Sequence, residues 1–161
     1  MMRLIPMRED EFRIWLDNAI HEYADEKVRA GNWTPDDALE QSKQTYRELL
    51  PEGLSSKHQY LFSIQDDAIA QNVGMIWFAL SDHGTRPSAF IYDFLIFEQF
   101  RRHGYGTQAL RELEGEVKHL GLDTISLHVF GHNLPARALY EKMGYVVTNI
   151  NMSKPLNACD G

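Results

Sequence analysis

The amino-acid sequence predicts a single α/β domain built on a mixed β-sheet flanked by helices. Its 161 residues, 43% of them hydrophobic, are enough for one core and too few for two ordinary domains. Strand-type and helix-type patterns follow one another in the order β, α, α, β, β, β, α, β, α, β. The first strands can form an antiparallel meander, whereas a later strand, helix and strand can form a right-handed parallel unit.

The N-terminal part of the chain predicts a strand followed by two helices. Residues 3–7 are suited to a short first strand. From Glu9 onward, apolar residues recur every three or four positions, which predicts an amphipathic helix that ends at Gly31. A second helix is predicted to begin at Thr34, a favourable N-cap residue followed by a proline, and to end before Pro51.

Three β-type segments follow these helices. Residues 58–65 and 73–80 are rich in aromatic and branched side chains, and residues 82–88 form a turn. Residues 90–97 are an apolar run interrupted only by Asp93, as expected of a central strand that is covered on both faces. A carboxylate in such a strand is costly unless it is paired or functional.

The last third of the sequence predicts two helices that alternate with two strands. Residues 104–120 carry an apolar stripe with helical spacing, and residues 124–130 alternate as a strand does. Asn133 is suited to cap a short helix over residues 134–143. Residues 145–152 are then predicted to return as a final strand.

The charge of the chain bears on its partners. A formal net charge of -7 and an isoelectric point near 5.4 argue against a nucleic-acid partner, because such proteins usually present a basic face to phosphates. Acidity is compatible with a cationic substrate, but it is also common in proteins that use charge only for solubility.

The sequence favours a cytoplasmic protein without a metal site. The single cysteine, Cys159, excludes an intrachain disulfide and a cysteine-based metal cluster. The seven histidines show no pair with the helical spacing of a zinc site around a glutamate. The first ten residues lack the apolar region of a secretory signal, and the longest apolar run, residues 75–80, is too short to span a membrane.

A glycine-containing loop joins the apolar strand to the next helix and predicts a phosphate-binding site. Free N–H groups and the positive end of the helix dipole meet at such a helix start. Residues 104–109 also match the dinucleotide fingerprint G-x-G-x-x-A, the signature of a nucleotide-dependent oxidoreductase. That alternative requires an acidic residue at the end of the next strand, whereas Asp123 precedes the strand.

Two sequence blocks point to a different phosphate ligand. The first is Arg101-x-x-Gly104-x-Gly106 after the apolar strand. The second runs from Asn133 to Tyr145 and contains an alanine, a Leu-Tyr pair and a Gly-aromatic pair. Together these blocks resemble the GNAT superfamily of N-acetyltransferases. The resemblance implies a centrally splayed sheet, acetyl-CoA as co-substrate, no metal, and transfer of an acetyl group to an amine.

The resemblance also implies which residues bind acetyl-CoA. Backbone groups of Leu95, Ile96 and Phe97 would bind the pantetheine arm, and Asn133 and Ala136 would line the opposite wall. The pyrophosphate would lie against the glycine loop, whose residues are Arg101, Arg102, His103, Gly104, Tyr105, Gly106 and Thr107.

The chemistry of amide formation assigns the catalytic candidates. A departing thiolate needs a proton donor, and the resemblance gives this role to Tyr140, which could instead be a core aromatic. An N–H group on the apolar strand would bind the developing oxyanion. Asp93 and Glu98 are candidate general bases, with His128 as a third, although a water relay could replace a direct base.

In the GNAT family, the region before the meander selects the acceptor, so residues 1–57 are predicted to form the acceptor side and residues 58–156 the acyl-CoA-binding core. Acidic and aromatic residues in the two helices could attract a small-molecule or peptide amine, although a solvated helix face explains the same charges. The pattern allows a monomer or a homodimer, and it leaves open a non-catalytic acyl-CoA sensor.

Overall fold

In a computed structural model that describes residues 1–82 and 85–157, the chain forms one five-stranded sheet with helices on both faces. The cysteine at position 159 and part of the predicted turn at residues 82–88 lie outside the described residues. The strands and helices in chain order are β1 Met2–Pro6, α1 Glu9–Arg29, α2 Ala38–Leu49, β2 Gln59–Asp66, β3 Gln71–Ser81, β4 Ser88–Ile96, α3 Tyr105–His119, β5 Ile125–Leu127 and α4 Leu134–Lys142, with short 3-10 turns at Gly53–Ser55 and Glu98–Phe100.

The sheet combines the two predicted arrangements, so the α/β class and the mixed sheet are confirmed. Strands β1 to β4 form an antiparallel meander, and β4 pairs in parallel with β5 across α3. The parallel pairing joins only residues 89–91 to residues 125–127. Beyond Ile91, β4 has no pairing with β5, and the sheet splays between these two strands.

A β-bulge at Tyr92 marks the start of the splay. Trp77 of β3 pairs with Asp93, but the next residue of β3, Phe78, pairs with Ile91, so Tyr92 is an extra residue in β4. A bulge reverses which way the following residues point. As a result, Ile91 packs in the core under α3, whereas Asp93 faces α1 on the other side of the sheet.

Two hydrophobic cores cover the two faces of the sheet. On one face, α3 buries Ala109, Leu110, Leu113 and Val117 against the strands. On the other face, α1 and α2 pack an aromatic cluster against Trp77. Burial on both faces explains why β3 and β4 are continuously apolar rather than alternating.

The second helix begins later than the sequence predicted. Thr34 is not its N-cap, because the Thr34 hydroxyl donates a hydrogen bond of 2.8 Å to the Asp37 carboxylate instead of accepting one from a backbone N–H. Residues 34–37 form a separate turn that is closed by the Ala38 N–H and the Thr34 carbonyl. Helix α2 then starts at Ala38.

The predicted final strand is wrong, and the fifth strand is shorter than expected. Residues 145–157 contain no strand, and residues 146–157 are all exposed. Strand β5 covers residues 125–127 instead of 124–130. An alternating pattern forms a strand only where a neighbouring strand accepts its hydrogen bonds, and within the described residues β5 pairs with β4 alone.

The described residues contain neither a membrane-spanning helix nor a cluster of metal-ligating side chains. None of their helices combines the length and the apolarity needed to cross a bilayer. Their side chains also form no cluster of three or more metal-ligating groups.

Candidate active site

Beyond the bulge, β4 presents backbone groups to the splayed gap. The Phe97 N–H donates a hydrogen bond of 2.8 Å to the Val73 carbonyl and so belongs to the ladder with β3. Because the direction of the backbone N–H and C=O groups alternates along an antiparallel strand, those of Leu95 also point to β3. The backbone groups of Phe94 and Ile96 point to the opposite side, where β5 has ended. Of these groups, the Ile96 carbonyl accepts a hydrogen bond from Arg101 and the Phe94 N–H donates to the Asp93 carboxylate, whereas the Ile96 N–H points away from β3 without a partner from the described sheet.

Gly74 allows β3 and β4 to approach closely beside this gap. A Cβ atom at Gly74 would lie 2.1 Å from the Leu95 carbonyl oxygen, far inside van der Waals contact. Gly74 pairs with Ile96 in the register of the two strands. The position of the exposed backbone edge thus depends on a glycine in the neighbouring strand.

The loop after β4 has the geometry of an anion-binding cradle. Gly104, at the N-cap of α3, has a left-handed φ of 78°, and a Cβ atom there would meet only the Gln108 side chain, at 4.0 Å. Among the described residues, the Arg101 N–H bonds to Glu98, but no backbone partner is found for the six N–H groups of residues 102–107. These free donors at a helix N-terminus fit the pyrophosphate of acetyl-CoA.

The other glycine of the loop has a packing role. A Cβ atom at Gly106 would lie 3.1 Å from a methyl group of Leu139, so this glycine lets α3 pack closely against α4. Tyr105 fixes the start of α3 by donating a hydrogen bond of 2.6 Å to Asp66 at the end of β2. Thr107 follows in the first helical turn and is half-buried.

The basic residues of the loop are exposed. The Arg101 guanidinium donates a hydrogen bond of 3.0 Å to the Ile96 carbonyl, which ties the loop to the free edge of β4. Arg102 adopts a left-handed φ of 67°. The His103 ring nitrogen Nδ1 lies 3.1 Å from the Phe100 carbonyl oxygen. All three side chains are exposed to solvent, so an anion can approach them from outside the domain.

Tyr140 projects from α4 toward the gap. Its ring centroid lies 6.5 Å from that of Phe94 and 5.4 Å from that of Tyr145. Burial raises the pKa of the Tyr140 phenol, and the negative charges of Asp93 and Tyr145 raise it further. The phenol is therefore protonated at neutral pH.

Asn133 and Ala136 lie at the start of α4. The Asn133 side chain accepts a hydrogen bond of 3.4 Å from the Ala136 N–H, so it caps the helix as predicted. This cap fixes the first turn of α4, one turn before Tyr140. Whether the two residues line the gap opposite β4 stays a prediction from the family resemblance.

Asp93 lies on the opposite face of the sheet from the core that packs around Tyr140, and it faces α1. The Trp15 indole N–H, from α1, donates a hydrogen bond of 2.9 Å to the Asp93 carboxylate. Burial raises the pKa of Asp93, the Trp15 hydrogen bond lowers it, the charge of Glu22 raises it, and the Phe94 backbone lowers it. Burial is the largest of these effects, so the carboxyl holds its proton at a higher pH than a free aspartate does.

The other two candidate bases lie elsewhere. Glu98 is exposed in the turn after β4, five residues beyond Asp93, which corresponds to about 16 Å along an extended chain. His128 follows β5, and burial together with the charge of Lys27 lowers its pKa, so its imidazole is neutral at pH 7. Of the three candidates, Asp93 is the one whose charge acts on Tyr140.

Comparison with known proteins decides the family. The acetyltransferase (GNAT) family profile matches residues 16–145. The chain belongs to the GNAT family. It is 42% identical over 153 residues to the uncharacterized N-acetyltransferase YycN of Bacillus subtilis, covering 95% of this chain and 97% of that one. It is 36% identical over 150 residues to YdgE, another uncharacterized N-acetyltransferase of that organism, covering 93% and 95%.

Solved structures agree with this assignment. A crystal structure of YycN superimposes with a TM-score of 0.90 over 97% of this chain and 99% of that one. A Clostridium acetobutylicum acetyltransferase solved with acetyl-CoA shares the fold, with a TM-score of 0.63 at 16% identity over 97% of each chain. The GNAT chain described here is thus an N-acetyltransferase with acetyl-CoA as acyl donor, and neither the sensor nor the oxidoreductase alternative is favoured.

An aromatic cluster includes Trp15, the hydrogen-bond donor to Asp93. Trp15 packs edge-on against Trp77 and Tyr46, with ring centroids 5.5 Å and 6.0 Å apart. Tyr92, the bulged residue, stacks on Trp77 at 4.6 Å. The sequence showed Trp15 only as part of an apolar helical stripe, and its indole N–H gave no separate signal of contact with a carboxylate 78 residues away.

A side-chain contact joins helix α1 to the loop before α4. The Glu26 carboxylate of α1 contacts the His132 ring in the loop before α4. On the same helix, the Lys27 ammonium lies 5.6 Å from the Tyr23 ring and 5.4 Å from the Trp33 ring. Sequence reasoning had counted Glu26 only among the charges that could attract an amine.

Proposed function

We propose that this enzyme transfers the acetyl group of acetyl-CoA directly to a primary amine in the gap between β4 and β5. One observation carries the proposal: Asp93 and Tyr140 lie on opposite faces of the sheet beside the same stretch of β4, and the charge of Asp93 raises the Tyr140 pKa. A base and an acid are then available on the two sides of one reacting carbon. Bound acetyl-CoA supplies the thioester carbonyl that the amine attacks.

The donor side would be held by groups already described. The free N–H groups of residues 102–107 bind the pyrophosphate, and Arg101, Arg102 and His103 add donors at the rim. The N–H group of Ile96 in β4, which points away from β3, binds the pantetheine arm or the developing oxyanion. Such an oxyanion donor typically contributes about 10²-fold to 10³-fold in rate.

The two side chains divide the proton transfers between them. Asp93 in its ionised form accepts a proton from the incoming ammonium or amine, directly or through water. Tyr140, whose pKa is raised, holds its proton at neutral pH and gives it to the departing thiolate. Leu95 and Phe97 keep β4 in register with β3, and Glu98 lies toward the pyrophosphate loop.

The acceptor would enter from the side of α1 and α2. The Glu22 carboxylate lies close enough to raise the pKa of Asp93, and aromatic faces of Tyr23, Tyr46 and Tyr92 surround the same region. Acidic and aromatic groups together attract a cationic amine. We therefore propose a small-molecule or peptide amine acceptor, with residues 1–57 as the acceptor side and residues 58–156 as the acyl-CoA-binding core.

The test is an acceptor screen with acetyl-CoA and Tyr140→Phe. Peptide N-termini, lysine, polyamines and aminoglycosides are offered, and free thiol is measured. We expect at least one class to be acetylated, and Tyr140→Phe to lower kcat by about 10² to 10⁴ without changing the affinity for acetyl-CoA. Tyr145→Phe is the matched control, because that neighbouring phenol is buried without a hydrogen-bond partner among the described residues.

Two outcomes would contradict the proposal. Binding of acetyl-CoA without turnover of any amine class, in wild type and variants alike, would indicate a sensor. Parallel rather than intersecting double-reciprocal plots would indicate an acetylated enzyme intermediate instead of direct transfer.

A further inference from the structure

The proposed acceptor side contains a half-buried ammonium that no carboxylate neutralises. Lys27 lies in the last turn of α1, and none of the ion pairs among the described residues includes it. Its neighbour in sequence, Glu26, contacts the His132 ring instead. A partly buried charge without a counter-ion is costly, so the free Lys27 ammonium points to a ligand that supplies the missing negative charge.

Two aromatic rings contact this ammonium. It lies 5.6 Å from the centre of the Tyr23 ring and 5.4 Å from that of the Trp33 ring. The Trp33 backbone N–H donates a hydrogen bond of 3.3 Å to the Lys27 carbonyl, so the end of α1 itself brings the two residues together. Aromatic faces stabilise a cation but do not accept its N–H groups as a carboxylate does. The ammonium is therefore positioned and still able to bind an anion.

A neutral histidine lies near Lys27. The side chains of Ile125 and Leu127 in β5 pack in the core under α3, so by alternation His128 faces the α1 side of the sheet. Burial and the charge of Lys27 lower the pKa of His128, and the imidazole is neutral at pH 7. In the described part of the chain, its ring has no hydrogen-bond partner, and a neutral imidazole carries one N–H donor. One ammonium and one imidazole N–H suit a singly charged carboxylate.

The opposite charge lies earlier on the same helix. Asp93 faces α1, where the Trp15 indole N–H binds it, and burial and the charge of Glu22 raise its pKa. Glu22 precedes Lys27 by five residues, which corresponds to about 7.5 Å along the helix axis. One stretch of α1 therefore presents a negative end toward Asp93 and a positive end toward His128.

We infer that the acceptor of this enzyme is an amine that also carries a carboxylate several bonds away from its nitrogen. The inference rests on the proposed acetyl transfer and specifies its substrate class. The amine would lie between Asp93 and Glu22. The carboxylate would bind the Lys27 ammonium and the His128 N–H, and it would orient the amine without taking part in bond formation.

This charge arrangement separates classes of acceptor. An ω-amino acid has a chain that places its carboxylate away from its amine, and so do the two free termini of a short peptide. A polyamine or an aminoglycoside has a second cation in place of the carboxylate, and Lys27 would repel it.

The test uses pairs of acceptors that differ in one remote charge. Glycylglycine is compared with glycylglycinamide, and δ-aminovalerate with pentylamine, by measuring the thiol released from acetyl-CoA. We expect wild type to have the higher kcat/KM for the carboxylate member of each pair. Lys27→Met keeps the apolar stem and removes the charge, and it is expected to lower that preference about tenfold to a hundredfold. Any difference in amine reactivity within a pair cancels between wild type and variant.

Matched variants separate the charge at this position from other effects. Lys27→Arg keeps a cation and should keep most of the preference. Lys43→Met removes a cation from α2, where Lys43 pairs with Glu40 at 3.5 Å, and it should leave the preference unchanged. Thermal melts establish that each variant is folded.

Titration calorimetry of the CoA-bound protein with the same pairs measures the preference without turnover. Equal kcat/KM values and equal affinities for both members, or a preference that Lys27→Met retains, would overturn the inference while acetyl transfer stands. Carboxylate-selective binding without turnover of any amine would contradict the proposed acetyl transfer and would still support the Lys27 site.

Discussion

At the scale of single residues, the ionisation of Asp93 depends on Trp15. The Trp15 indole N–H stabilises the charged carboxylate, whereas burial destabilises it. Trp15→Phe removes the donor and should raise the Asp93 pKa further, because a hydrogen bond to a charged group contributes roughly 1.5–3 kcal/mol. The acidic limb of the kcat/KM profile is then expected to move about one pH unit higher.

The control for this prediction is Trp33→Phe. Trp33 packs on Tyr23 and forms no hydrogen bond with Asp93. Its replacement should leave the acidic limb in place. If both variants keep the wild-type profile, Asp93 does not set the limb, and a water relay without a direct base becomes the better account.

Asp93→Asn should make the protein more stable at neutral pH while lowering its activity. The folded-state pKa of Asp93 lies above the ordinary value of 3.8. Between that value and the raised one, the folded state binds more protons than the unfolded state, so the free energy of unfolding falls as the pH rises. Asparagine does not titrate and can still accept the Trp15 hydrogen bond.

Thermal melts of wild type and Asp93→Asn across the pH range check this sign. The variant should have the higher Tm at pH 7, and the difference should vanish as the pH falls below about 4, where wild-type Asp93 is protonated in both states. A variant that is less stable than wild type at every pH would mean that the carboxylate is a structural partner rather than a destabilising functional group.

At the scale of elements, the close approach of β3 and β4 at Gly74 should matter for both stability and binding. Gly74→Ala would place a methyl group 2.1 Å from the Leu95 carbonyl oxygen, which is backbone and cannot rotate away. We expect a loss of about 1–3 kcal/mol or more in the free energy of unfolding. Acetyl-CoA affinity, measured by calorimetry, should fall as well, because Ile96 pairs with Gly74.

Gly115→Ala is the matched control for Gly74→Ala. Gly115 lies in α3, and nothing would lie within 4 Å of an added Cβ atom there. Alanine in a helix interior should stabilise the fold by roughly 0.5–1 kcal/mol and leave acetyl-CoA binding unchanged. Equal effects of the two substitutions would argue against a specific role for the β3–β4 approach.

The elements also show what could be predicted from the sequence. The meander, the parallel unit and the helix after the glycine loop follow from local periodicity and from glycines at the correct spacing. The bulge at Tyr92 gives no such signal, because it is defined by pairing with another strand. The predicted strand over residues 145–152 has the required alternation, but no described strand pairs with it.

Some residues of the candidate site could likewise be predicted from the sequence, and others could not. Asp93 and Tyr140 could be predicted because a carboxylate in an apolar strand and a tyrosine in a family block are visible in the sequence. Trp15 could not, because a tryptophan in an amphipathic helix is explained by burial alone. Gly106 was expected to allow close approach of the pyrophosphate, and the structure shows a packing contact with Leu139 as well.

At the scale of the whole molecule, the contact between Glu26 and His132 joins helix α1, on the proposed acceptor side, to the loop before α4, on the proposed acetyl-CoA side. Glu26→Gln should loosen this connection without altering the pyrophosphate loop. A hydrogen-bonding contact of this kind contributes about 1 kcal/mol, so KM for the acceptor is expected to rise up to about fivefold. KM for acetyl-CoA should remain unchanged.

Asp25→Asn tests whether charge alone explains such an effect. Asp25 is the preceding residue and is exposed, so its replacement makes the same change in net charge without touching His132. Steady-state kinetics with the acceptor found in the screen compare the two variants. An equal rise in KM for both would assign the effect to general attraction of a cationic substrate.

The extra residue in β4 has a consequence for how this sequence tolerates change. Tyr92 sets which alternate backbone N–H groups of β4 face β5. Before it, the N–H groups of Ala89 and Ile91 point to β5; after it, those of Phe94 and Ile96 point to the same side. Replacing Tyr92 alters one side chain, whereas deleting it would move every later residue to the opposite face, including Asp93. Length in this segment is therefore under stronger constraint than composition, and a one-residue deletion should be more damaging than any single substitution there.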